Sequence, residues 1–83
     1  RKIDIGEAIE EIYSKIEFYS QSGDVTYNML LPHNPTKEEK VFTFLPLLHL
    51  ENHMKIGINQ EEPFKEIHIG LIKNINEDQP EKN

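Results

Sequence analysis

At 83 residues, with nine basic and fifteen acidic side chains and a formal charge of −6, the chain has room for one small domain with a modest core. The acidic balance argues against binding nucleic acid by phosphate neutralisation, and the absence of cysteine removes disulfides and thiolate metal sites. No apolar run approaches the ~20 residues that a membrane helix needs, and no signal-peptide pattern is read.

Ile3 to Tyr19 reads as a first helix. Asp4 is a good N-cap, Glu7 completes a capping box, and Ile3 is placed to staple onto Ala8. Ile5, Ile9, Ile12, Ile16 and Tyr19 form the stripe expected to be buried, with Ala8 and Tyr13 at its edges. Ser20 to Gly23 is turn material, and Asp24, Val25 and Thr26 suit a very short strand. Tyr27 to Leu31 offers one or two helical turns before Pro32 stops them.

Thr36 and Glu39 make a capping box for a second, central helix running to about Asn52 or His53. Its centre, Val41 to Leu50, is the most apolar stretch of the chain. Val41, Phe44, Leu45 and Leu48 recur at i, i+3, i+4 and i+7, the pattern of a buried face. The expected core therefore packs Val41, Leu45 and Leu48 on Ile9, Ile12, Ile16, Ile56, Ile67 and Ile69. Phe42, Leu47, Leu50 and Phe64 are left without a home, with Phe44 on the border, and such surplus apolar surface points to a second surface to bury it against. Pro46 lies where a backbone N–H should return to the carbonyl of Phe42, so the helix is expected either to kink there or to end elsewhere.

Lys55 to Asn59 alternates, as do Ile67, Ile69 and Leu71, with Gln60 to Lys65 and its Pro63 between them: a β-hairpin with a long loop. Residues 73–83 are polar and expected to be a disordered tail, leaving residues 1–72 as the domain. The fold class that follows is a small α+β winged-helix domain: helix, short strand, short helix, long helix and β-hairpin wing.

Chemistry is sparse. His49 and His53 have a chelating spacing on the central helix. Glu51 is at the wrong offset for a His-Glu-x-x-His signature, however, and no third ligand is evident. Two surface histidines in a last helical turn, where they suit the dipole, is the simpler reading. His33 in a loop and His68 on a strand are expected to be solvated. Ser14, Ser20 and Ser22 sit on a helix face and a turn, Glu61 and Glu62 on a loop tip, and there is no glycine-rich phosphate loop. No enzyme, metal or cofactor is expected.

A winged helix often reads DNA with its later helix. Here that helix holds Lys37, Glu38, Glu39, Lys40 and Glu51, and the wing adds Glu61 and Glu62 against Lys65. A DNA-binding regulator fragment is thus the disfavoured alternative to a protein-binding module.

The segment Thr43-Phe44-Leu45-Pro46-Leu47-Leu48-His49-Leu50, followed by Lys55 to Asn59 and Gln60-Glu61-Glu62-Pro63-Phe64-Lys65-Glu66-Ile67, resembles the C-terminal domain of the segregation and condensation protein A family. These are the bacterial kleisins of the SMC complex. The match spans roughly Ile5 to Ile69, and its distinctive part is Thr43 to Ile67. Three positions depart from the family pattern: Pro46 stands for alanine, His49 for an acid and Lys65 for glycine. The resemblance implies a cytoplasmic, nucleoid-associated, non-catalytic domain that docks on the ATPase head of an SMC protein. It also implies a companion protein B bound through regions outside this chain, with no direct contact to nucleic acid or membrane. A start at Arg1 rather than methionine fits the expectation of a piece of something longer. Phe42, Phe44, Leu47, Leu50 and Phe64 are the expected partner-binding residues.

Overall fold

The computed structural model describes residues 4–72. The expected tail and the Ile3 staple lie outside them. Helix α1 spans Ile5–Ser20, strand β1 Val25–Thr26, a 3₁₀ turn Tyr27–Leu30, helix α2 Lys37–Asn52, and strands β2 and β3 Ile56–Asn59 and His68–Leu71. This is the expected order, displaced by a residue or two at the ends.

Both helices start where short polar side chains satisfy their first free N–H groups. Asp4 accepts from the backbone of Glu7 at 3.3 Å. Thr36 and Glu39 form the reciprocal capping box, with bonds of 3.0 and 2.9 Å. Ile12 and Ile16 are the buried residues of α1, and Ile9, Tyr13 and Tyr19 pack against the core as half-buried neighbours. Ile5, expected in that stripe, is exposed, because it occupies the first turn at the free end of the helix.

The sheet is antiparallel with strand order β1-β3-β2. The long-looped hairpin pairs Ile56 with Leu71 and Ile58 with Ile69. Two-residue β1 then joins the other side of β3 through Val25–Ile69 and Thr26–His68, extended by a bond from the Tyr27 N–H to the Ile67 carbonyl at 2.9 Å. Period-2 alternation turns Val25, Ile56 and Ile69 toward the helices, and His68, one residue out of phase, is exposed.

One expectation fails here. The face of α2 that enters the core is Thr43, Pro46, Leu47 and Leu50, not Val41, Leu45 and Leu48. Leu47 is 0% and Leu50 5% exposed, whereas Val41 is 51%, Leu45 43% and Leu48 39% exposed. Both sets satisfy an i, i+3 or i+4, i+7 spacing, because α2 is apolar on nearly every side.

The connection to β2 settles the choice. Met54 adopts φ +59° and donates to the Glu51 carbonyl at 3.0 Å, while Lys55 donates to Leu50 at 2.9 Å. This is a Schellman termination with methionine at the position glycine usually takes. Only three residues separate the helix from Ile56, so the chain folds back over Leu50 and delivers the sheet to that side. Thr43, Pro46 and Leu47 follow by the helical period. The helix also runs through Pro46 without a boundary, and the proline ring is fully buried in the interior.

Leu47→Ala should therefore cost about 2–5 kcal/mol of unfolding free energy, the usual range for emptying a core leucine site. Leu48→Ala should stay within about 1 kcal/mol of the parent. Denaturant melts followed by circular dichroism that ranked the two the other way would contradict this rotation of α2.

Candidate partner-docking surface

Rotating α2 inward on Leu47 and Leu50 leaves Val41, Leu45 and Leu48 as an apolar stripe on its outer side. Their i, i+4, i+7 spacing aligns them along one line of the helix, about 10 Å from first to last at 1.5 Å per residue. Phe44, half-buried, borders the stripe and packs edge-on against Tyr27, with ring centroids 5.7 Å apart and planes at 85°. The Tyr27 hydroxyl donates to the Lys40 carbonyl at 2.6 Å. A single side chain thus holds both the ring beneath the stripe and the backbone that begins it.

The five expected contact residues separate into three groups. Leu47 and Leu50 are core, so they offer no surface, for the reason given by the connection at Met54 and Lys55. Phe42 and Phe44 are half-buried; Phe42 lines a groove between α1 and the 3₁₀ turn, together with Ile12, Tyr19 and Leu31. Phe64 stands fully exposed on the loop between β2 and β3. The reading from periodicity missed Val41, Leu45 and Leu48 as surface. The sequence signalled only that a helix apolar on nearly every side has two faces to bury; which one the domain takes is set by the backbone path at Met54 and Lys55.

The polar side chains late in α2 and on the hairpin loop show no metal-binding cluster. His49 and His53 are exposed and stacked at 4.1 Å, with the His53 Nδ1 2.9 Å from the His49 carbonyl. Among the described residues no group of three or more His, Asp or Glu side chains could hold a metal ion. Glu61, Glu62, Lys65, Glu66 and His68 line a shallow, mainly acidic concavity on the hairpin loop. No helix among the described residues is long and apolar enough to cross a membrane.

Comparison with known proteins places the chain among relatives. A family model described as segregation and condensation protein ScpA matches residues 1–72. Over 56 residues the chain is 39% identical to segregation and condensation protein A of Halothermothrix orenii, covering 65% of this chain and 23% of that protein. The chain thus spans under a quarter of the relative's length. A chain from the crystal structure of the SmcHead bound to the C-winged helix domain of ScpA superposes with a TM-score of 0.75 at 32% identity, covering 83% of this chain and 100% of that one.

Burial raises the Tyr27 phenol above its ordinary value of 10.0, and the bond to the Lys40 carbonyl, made only by the protonated phenol, acts in the same direction. A folded-state pKa above the unfolded one contributes stability that is complete below the unfolded value and lost as pH rises through the folded one. Tyr27→Phe should cost about 1 kcal/mol at neutral pH. It should also flatten the decline of stability above pH 10.0. Unfolding free energies measured across that range test both effects, and identical pH slopes for variant and parent would count against the assignment.

Proposed function

The chain belongs to the segregation and condensation protein ScpA family, and from that premise we propose that it is a kleisin C-terminal domain that docks on the ATPase head of an SMC protein. Its work in chromosome condensation and segregation is mechanical and non-catalytic: it joins one head to the rest of a longer chain. A companion protein B would bind that longer chain elsewhere, and the assembly would act in the cytoplasm at the nucleoid.

The observation that supports this best is the likeness to a winged-helix domain solved in complex with an SmcHead. The outer side of α2 gives the docking a physical basis. Val41, Leu45 and Leu48, with Phe44 at their edge, are apolar groups that the domain leaves partly in water. Burying such anchors against a partner contributes on the order of 2 kcal/mol for each well-seated one. The same helix in a DNA-binding winged helix would display basic residues to phosphates. Here its exposed charges are Lys37, Glu38, Glu39, Lys40 and Glu51, a net negative set.

Leu45→Arg and Leu48→Arg should each leave the thermal melt within about 1 kcal/mol of the parent, as surface substitutions do, and should abolish binding to a purified SMC head. The parent should not shift the anisotropy of labelled duplex DNA at physiological salt. Head binding that survives both substitutions would move the contact off α2. Micromolar, salt-sensitive binding to DNA would contradict the protein-docking reading altogether.

A further inference from the structure

The loop between β2 and β3 holds one side chain in a position that its own fold does not reward. Glu62, Pro63, Phe64 and Lys65 form a turn closed by a bond from the Lys65 N–H to the Glu62 carbonyl at 3.1 Å. Phe64 has φ +68°. Proline second and a left-handed residue third is the type II pattern, whose third position belongs to glycine or asparagine. An aromatic residue there is a genuine backbone outlier. Its side chain recovers nothing among the described residues: Phe64 is 102% exposed, with no packing partner there. The turn is nonetheless braced, since the Gln60 side-chain amide donates to the Lys65 carbonyl at 2.8 Å. Lys65, where the family pattern has glycine, does not take a positive φ; the demanding position is the phenylalanine itself.

We propose that Phe64 is a preformed anchor, presented by the wing tip, that inserts into an apolar pocket of the SMC head as a contact separate from the α2 stripe. The inference rests on the docking function proposed above and deepens it. Backbone strain concentrates at functional sites, and Phe64, unlike Met54 at the end of α2, has no use for it within the fold. A braced turn that already holds the ring in water loses little conformational freedom on binding. The partner it fits is therefore a pre-shaped protein surface with a pocket of aromatic size. The SMC head is the occupant we infer, because the fully superposed winged-helix relative was solved on one.

The test compares the parent chain, Phe64→Gly and Phe64→Tyr for head binding and for melting. Glycine removes the strain and the ring together, so it should raise Tm by roughly 2–6 °C while weakening head affinity by at least about tenfold to thirtyfold. Tyrosine keeps the ring and the strain, so it should melt close to the parent and, despite the cost of placing its hydroxyl in an apolar pocket, bind the head more tightly than Phe64→Gly. Unchanged affinity for Phe64→Gly, with Leu45→Arg still abolishing binding, overturns the anchor and leaves the docking function standing. A parent that fails to bind the head overturns both. Sedimentation showing that the parent self-associates and Phe64→Gly does not, with head binding equal, assigns the ring to a second copy of the chain and also overturns the proposal.

Discussion

The fold depends on how α2 is terminated. Two backbone bonds, from Met54 to Glu51 and from Lys55 to Leu50, turn the chain within three residues and set β2 against the side of the helix that bears Leu50. Everything else about α2 follows from that rotation. Leu47 meets the core formed with Ile12, Ile16 and Ile56, Thr43 and Pro46 lie on the same buried side, and Val41, Leu45 and Leu48 are turned outward. A helix that is apolar on all sides has no preferred rotation of its own. In this domain a short covalent link decides it.

The consequence for function is a surface more apolar than the domain's own stability requires. Three leucine and valine side chains along one line of a helix, with an edge-to-face aromatic pair beside one end, form the apolar face on which the proposed docking rests. The surrounding charge is predominantly acidic. A polyanion would be repelled, and a protein surface of neutral or basic character would not. That charge balance supports the proposed reading of the scaffold as one that docks on protein rather than one that reads a DNA groove.

Met54 and Phe64 share an unusual property. Each is a large apolar residue held at a φ that favours glycine, and each is exposed. At Met54 the conformation terminates α2 and so serves the fold directly. At Phe64 the conformation closes a turn that glycine would close with less strain. The difference is what the proposed anchor role of Phe64 rests on: at Met54 the strained backbone has a use within the fold, and at Phe64 the fold supplies none.

By itself the sequence determined the elements, because their signals are local. Asp4 and the Thr36–Glu39 pair cap the next turn of chain, the alternation from Ile56 and from Ile67 makes strands, and the acidic balance disfavours DNA whatever the packing. The segment Thr43 to Ile67 was distinctive enough to place the chain in its family before any packing was known. The pairing of two-residue β1 with β3 was not legible, since so short a strand is stable only where a distant strand supplies its partner. Nor was the inward face of α2. Periodicity offered two stripes, and the richer one, through Val41, Leu45 and Leu48, was the wrong one for the core. Hydrophobicity measures what a side chain loses in water and favours burying either stripe; which one is sheltered by this chain and which stays exposed was decided by the backbone path at Met54 and Lys55.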